Sequence, residues 1–434
     1  MNNKFSEDFL LTNEIGKSLY NKYAAGLPVI NFNSGLNAKV FDENKVFEDL
    51  GELWLSCDPY KWHVMRTFGI EEKYITGDAT YYEKFMAFAK IMPELIGSAL
   101  YIWSALELKR CFGIEEPLCE ENAVRIYQQT KTIIHEKKIT PQYCLKLSSA
   151  EISSTPEDPA SSLKLYKNVL ASFCADRIFS LKKEDFDDYI PKLAKSSSIN
   201  IYSFETLLIA FEKRLMDFKD SGTILSESNI QNFVWTDYKE REIADTFRRL
   251  LNGKETLTKD IEKYQSAFLF ETGKIYWRNG FVMQLRIIDN GESSQLKSIG
   301  KLLIRLSEAG KLPKTIIYPE VSKIEEYAAL AARLCEKEGS AKVQIGLSWD
   351  LNGSLCGIKK QFESIASVYP LSLWAGFISG GSGFFSGFHH EIFRRLFCNY
   401  LGKLCSRGVY FSSEETLKKI IQNVCYYNAK NFIS

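Results

Sequence analysis

Apolar residues recur at helical spacing near the start of the chain: Phe9, Leu10, Ile15, Leu19, Tyr20 and Tyr23, within residues 7–24. Gly26 and Pro28 stop that helix, and VINF follows as a first short strand. Residues 40 to about 135 keep the helical spacing with no clear strand run and read as a long helical insertion after strand one. From residue 141 the rhythm changes. YCLKL reads as the next strand, followed after a polar loop by a helix around SSLKLYKNVLASF. The helices FETLLIAFEKRLMDFKDSG, DIEKYQSAFLFETGKIYWRNG, LKSIGKLLIRLSEAGKLP, KIEEYAALAARLCEKEGS and GIKKQFESIASVYP then lead in turn to TILS, FVMQLRII, KTIIYP, KVQIGLSW and LWAGFIS. Two further helices, FHHEIFRRLFCNYLGKL and SEETLKKIIQNVCYYNAKNFI, close the chain.

Short apolar strands alternating with amphipathic helices predict parallel strands joined by helical crossovers. About eight such units predict an α/β fold of the (β/α)8 TIM-barrel type, one domain over residues 1–434, more than an open sheet. Barrel chemistry sits at the C-terminal ends of strands. The positions singled out are Asn33, Gly35, Ser148, Ser228, Arg286, Tyr318, Trp349 and Gly380.

The totals narrow the function classes. Net charge is +1 from 55 basic and 54 acidic residues, with no like-charge tail, so no general pull towards nucleic acid or a membrane surface follows. The N-terminal residues break every apolar run with charge or amide, unlike a secretory signal, and no run has the apolar length of a membrane span. Ten cysteines at irregular spacing, none in C-x-x-C, predict reduced thiols and a cytoplasmic protein. Only four histidines occur: His63, His135, His389 and His390. A histidine-rich two-metal site would need most of them to converge, and His135 lies in the charged run TIIHEKK.

Longer blocks carry a resemblance. HVMRTFGIEEKYITGDATYYEKFMAFAK, LYIWSALELKRCFGI, FVMQLRII, LPKTIIYPEVSKIEEYAALAA, VQIGLSWDLNG, HHEIFRRLFCNYLGKL and CYYNAKNFI resemble, in the same order, the uronate (glucuronate) isomerase family of the amidohydrolase superfamily. The resemblance implies a zinc-associated barrel that interconverts D-glucuronate or D-galacturonate with the ketose, and by analogy a homo-oligomer. The family's chemistry-bearing positions are substituted. Its His-x-His on strand one is matched by Asn33 and Gly35. Asp-His-Tyr-Lys-Trp becomes Asp58-Pro59-Tyr60-Lys61-Trp62, and Tyr-His-Trp-Thr-His becomes Tyr101-Ile102-Trp103-Ser104-Ala105. A substrate-facing arginine is matched by Cys174, Ser-Asp-His by Ser226-Glu227-Ser228, and Gln-Leu-His by Gln284-Leu285-Arg286. Thr-Asp-Ser-Arg, which holds the catalytic aspartate and a carboxylate-binding arginine, becomes Ser379-Gly380-Gly381-Ser382.

Aldose–ketose isomerisation needs a base beside the carbon that loses its proton, and donors for the developing oxyanion. Gly380 cannot be that base, and Asn33 with Gly35 offers no imidazole or carboxylate to zinc. The expectation is a uronate isomerase homologue without metal or other cofactor, impaired or inactive, able to bind a uronate or another small anion. The alternative is a working isomerase with a rebuilt metal-independent site, Glu227 or Glu320 as base and Arg286 on the substrate carboxylate. Arg286 reads as an anion anchor or as half of an ion pair, with Asp289 or another acid. Tyr60 and Trp349 read as a sugar-stacking surface or as packing. Asp350 is a further acid near a strand end. ISGGSGFFSGF (378–388) could cradle a phosphate or be an ordinary turn. His389 and His390 point about 100° apart on a helix and read as packing or surface. His63 reads as a polar contact. An acid within hydrogen-bond reach of Arg286 would favour the rebuilt site, and a pocket filled by Phe384 or Phe385 the inactive one.

Overall fold

The computed structural model describes residues 5–163, 168–180, 183–288, 295–338, 341–347, 355–378 and 383–434. Trp349, Asp350, Ser379, Gly380, Gly381, Ser382 and Asp289 lie outside the described residues.

Contacts divide the chain into two compact units, Met1–Thr155 with Trp349–Phe362 and Gly376–Ala429, and Pro156–Ser348 with Glu363–Ala375 and Lys430–Ser434. In the first, β1 (Val29–Asn31) pairs in parallel with β2 (Ala150–Glu157), with Ile30 opposite Ile152 and Asn31 opposite Ser153. No strand lies between them. Instead the chain forms helices, among them Pro59–Thr67, Tyr81–Ile91, Ala99–Phe112 and Glu120–Lys137. In the second, β3 (Val169–Cys174), β4 (Leu225–Gln231), β5 (Val282–Ile288), β6 (Thr315–Tyr318) and β7 (Val343–Ile345) pair in chain order, all parallel. Helices cross between them, as the alternating pattern requires. The helix Glu240–Leu251 buries Ile243, Phe247 and Leu250, and Leu296–Glu308 buries Ile299, Leu302, Leu303 and Leu306. Each is the i, i+3, i+4, i+7 stripe of an amphipathic crossover. Each such buried side chain contributes about 1.5–3 kcal/mol relative to exposure.

Three elements differ from the sequence pattern. YCLKL belongs to the helix Pro141–Leu147, and Ser148 is its C-cap, not a strand end. Thr140 accepts from the Tyr143 N–H at 3.2 Å with Pro141 at the first helical position, so a local cap outweighs the strand-like alternation. The strand there is β2, AEISSTPE, whose Ser153, Ser154 and Thr155 are fully buried. VLASFC, placed in a helix by spacing, is β3. LWAGFIS forms no strand in its described part: a 3-10 turn, Leu371–Leu373, is followed by irregular backbone in which Gly376 has φ +71°. Among the described residues there are thus seven strands, where the pattern suggested about eight. TILS marks only the start of β4, so Glu227 and Ser228 lie inside that strand and not at its end.

Gly346, just after β7, fixes the next layer. A Cβ there would sit 2.4 Å from the Tyr318 ring, so glycine leaves the room that the ring occupies. The ten cysteines are all free thiols, and no single helix is long and apolar enough to cross a membrane among the described residues.

Candidate functional site

In the second unit, β4, β5 and β6 aim polar groups at one another. Asn229 is opposite Arg286, and Arg286 opposite Tyr318. Glu227 lies two residues before Asn229, so it shares a face with it and reaches Arg286 diagonally. Arg286 Nε lies 2.7 Å from Glu227 Oε1, with both side chains under a tenth exposed. The guanidinium carbon lies 4.8 Å from the centre of the Tyr318 ring, a cation–π contact. The Tyr318 hydroxyl donates to Gln284 Oε1 at 2.5 Å. Burial pushes the Tyr318 phenol well above its ordinary range, against the pull of Arg286. Cys174, in register with Glu227, is likewise driven up by burial and by the acids Asp176 and Glu227. The network is therefore a thiol, a phenol and an amide around one ion pair that carries no net charge of its own.

Glu320 follows β6 as the N-cap of the 3-10 turn Val321–Lys323, where its carbonyl accepts from the Lys323 N–H at 2.9 Å. Its carboxylate is half-buried and makes no hydrogen bond or ion pair among the described residues.

The first unit holds a second polar cluster. Asn33, just past β1, gives its side-chain oxygen to the Gly35 N–H at 2.6 Å, closing an Asx turn in which Gly35 takes φ +65°. Asn31 donates to Ser386 Oγ at 2.9 Å. The Asn33 oxygen is spent on backbone and Gly35 has no side chain, so the end of β1 does not fit a zinc site. Among the described residues no group of three or more His, Cys, Asp or Glu side chains is placed to hold a metal ion.

Asp58 starts the helix Pro59–Thr67. Its Oδ1 accepts from the Tyr60 and Lys61 N–H groups, and its Oδ2 meets Lys61 Nζ at 2.6 Å, both side chains being buried. Burial pushes the Lys61 ammonium down, but Asp58 and Glu107 more than offset it and hold Lys61 charged. Glu107 is pushed up to about 7 by burial, with Lys61 opposing and Asp58 adding to the shift. His389 stacks on Trp103 with ring centres 4.0 Å apart and planes 18° from parallel, and Tyr60 meets Trp103 edge-on at 6.1 Å. Burial drives His389 down to about 3, so the ring is neutral. His390 is buried edge-on against Phe377. Both histidines are core side chains and neither has a surface role. His63 is exposed, and His135 meets the Glu48 carbonyl at 2.9 Å on the surface.

The structure brings Glu227 and Arg286 together, sets Tyr60 in an aromatic cluster and leaves Glu320 apart. Phe384 packs on Phe47 at 4.6 Å and Phe385 on Phe388 at 5.7 Å, all in the first unit. Sequence reasoning passed over Lys61 and Glu107. Glu107 was visible as the one charge inside the apolar run IGSALYIWSALEL, where a carboxylate needs a partner.

Parallel strands with helical crossovers and polar groups on adjacent strands define the class, an α/β fold built on a parallel sheet. The crystal structure of uronate isomerase from Thermotoga maritima superposes with TM-score 0.91 at 25% identity over 99% of both chains. That of glucuronate isomerase from Caulobacter crescentus gives 0.85 at 20% identity over 99% of this chain and 96% of the other, a likeness of fold. The family model for glucuronate isomerase matches residues 1–300 and 288–433. Uronate isomerases of Clostridium perfringens and Caldicellulosiruptor bescii are 34% and 35% identical over 98% of each chain. The chain belongs to the uronate isomerase family.

Proposed function

We propose that this chain is a uronate isomerase homologue whose aldose–ketose chemistry is lost or strongly impaired, on a (β/α)8 barrel with a helical insertion between β1 and β2. The observation that supports this reading most is the end of β1, where the Asn33 side chain closes a turn on the Gly35 N–H at 2.6 Å and neither residue offers an imidazole or carboxylate to zinc. A general base must offer a lone pair to a C–H proton, and an anchor must offer a guanidinium to the substrate carboxylate. Here the acid and the cation, Glu227 and Arg286, meet each other at 2.7 Å. Withdrawing either partner from a buried pair leaves an uncompensated charge at about 3–5 kcal/mol, which would be added to the barrier. Asn33 and Gly35 supply no replacement Lewis-acid ligands, so no cofactor is proposed. Tyr60, Arg286 and Trp349 remain the candidate contacts to a uronate or another small anion, in a cytoplasmic protein.

One observation favours the second reading, a working isomerase with a rebuilt site: Glu227 is inside hydrogen-bond reach of Arg286, the arrangement such a site requires. The test is proton NMR of the purified protein with D-glucuronate and with D-galacturonate in D2O, with and without zinc. No ketose and no loss of the C2 proton signal beyond a boiled control supports the first reading. Turnover or exchange that vanishes in Glu227→Gln supports the second and overturns the first.

A further inference from the structure

Three buried ionisable groups in the first unit share one cluster, and their charges do not balance. Asp58 caps the helix Pro59–Thr67, Lys61 lies in its first turn, and Glu107 acts on the pair from the helix Ala99–Phe112. All three are under a tenth exposed. Lys61 is the cation that acts on Glu107, and it is already committed: its Nζ meets Asp58 Oδ2 at 2.6 Å and makes no ion pair with Glu107 among the described residues. One cation between two acids leaves a negative charge uncompensated if both acids ionise, and a buried unpaired carboxylate is costly. One acid must therefore carry a proton, and the geometry decides which. Asp58 has the ammonium and two backbone N–H groups, those of Tyr60 and Lys61. Glu107 keeps its Oε2 buried without a hydrogen-bond partner among the described residues. The proton belongs to Glu107, and burial strengthens its hold there.

Lys61 is equipped to change partners. An ammonium carries three protons on a flexible four-carbon stem, and the bond to Asp58 uses one of them. Trp54, on the helix Leu50–Leu55, lies against both acidic arms of the cluster. The Lys61 Nζ is 5.5 Å from the centre of its ring, and its indole N–H approaches the Glu107 carboxyl without completing a hydrogen bond. Ser104 Oγ, one turn before Glu107 on the same helix, is likewise buried and unpartnered among the described residues. An unmet acceptor facing unmet donors is closed by the shift of one flexible side chain. The remaining ionisable groups around the cluster do not compete for the proton. Burial holds the thiols of Cys57, of Cys111 on the same helix as Glu107, and of Cys144 on the helix Pro141–Leu147 far up, so they stay protonated. His389 is held down to about 3 and stays neutral.

We propose that the Lys61 ammonium is a proton-controlled latch at the start of the helix Pro59–Thr67. Asp58 holds it while Glu107 carries a proton. Once that proton leaves to solvent, the ammonium is drawn to Glu107, and the turn that carries Tyr60 loosens. The device stands whether or not the chain binds a uronate. Crystal structures of the wild-type chain at about pH 5.5 and about pH 8.5, on either side of the Glu107 transition at about 7, test the switch itself. The expected result is Lys61 Nζ on Asp58 at the acid pH and within hydrogen-bond reach of Glu107 at the alkaline one. Amide hydrogen–deuterium exchange of the peptide spanning residues 58–67 tests the consequence. Wild type is compared with Glu107→Gln at each pH, so the pH dependence of the exchange chemistry cancels. The two proteins should exchange alike at the acid pH, and wild type several-fold faster at the alkaline pH. Lys61 bonded to Asp58 alone at the alkaline pH overturns the proposal, and that result needs no variant to fold. So does a ratio of wild-type to variant exchange that is the same at both pH values.

Discussion

Replacing Glu107 with glutamine should make the protein more stable relative to wild type as pH rises, and the size follows from the site. Burial, with Asp58 adding and Lys61 opposing, lifts the Glu107 carboxyl from 4.5 to about 7 in the folded chain. The folded state therefore holds a proton that the unfolded chain releases. The stabilisation linked to that proton is complete below pH 4.5 and is lost as pH rises through about 7. At 1.36 kcal/mol per pH unit, the shift corresponds to roughly 3 kcal/mol between the two limits. The glutamine side chain has no proton to lose and keeps a neutral, hydrogen-bonding end of the same shape. The difference in unfolding free energy, Glu107→Gln minus wild type, should thus climb by roughly 3 kcal/mol between about pH 4.5 and about pH 8, whatever its value at the acid end. Urea unfolding at four or five pH values measures it, and the subtraction cancels titrations common to both proteins, His389 among them. A difference that stays flat, or falls, with rising pH would refute the placement of a protonated carboxyl beside the Lys61–Asp58 pair.

Two further outcomes are expected. Arg286→Ala should lower stability by about 3–5 kcal/mol, because the buried Glu227 carboxylate loses the guanidinium beside it, whereas the double variant Arg286→Met with Glu227→Gln should cost clearly less; denaturant unfolding of wild type and the two variants decides this. His389 is held near 3 in the fold, so the unfolded chain alone takes up a proton below about 6.5 and stability is lost as pH falls through that window. His389→Phe, able to keep the Trp103 stack, should therefore gain on wild type as pH falls from about 7 to about 4 in thermal melts, and a constant offset would count against a neutral buried ring.

The strands most legible in the sequence were those in mainly apolar runs. FVMQLRII, KTIIYP and KVQIGLSW contain β5, β6 and β7, because a strand buried on both faces reads as a nearly continuous apolar run, broken here by Gln284, Arg286 and Gln344. β2 was missed for the opposite reason: it buries Ser153, Ser154 and Thr155 on its two faces, and hydropathy alone classes AEISSTPE as loop. Arg286 could be singled out as a strand-end residue of a barrel. Its bond to Glu227 could not, because partners across strands depend on register, and register depends on the packed sheet. The Asp58–Lys61 pair needed no such information. Asp before Pro at a helix start, with Lys three residues on, is a local signature that went unused. The stack of His389 on Trp103 joins distant parts of the chain and left no mark in either segment.

The buried ion pairs Asp58–Lys61 and Glu227–Arg286 differ in what they ask of a folding chain. Asp58 and Lys61 share one helical turn, so their bond can form as soon as that turn does, before any distant contact exists. Glu227 and Arg286 sit on strands separated by two helices and remain hydrated until β4 and β5 come together. A slip of one residue between those strands would carry the guanidinium and the carboxylate to opposite faces of the sheet, each pressed unpaired against apolar side chains. Apolar strands alone would tolerate such a slip more readily. The pair thus penalises misalignment at the centre of the second unit, and it keeps that role whether or not any sugar acid ever reaches it.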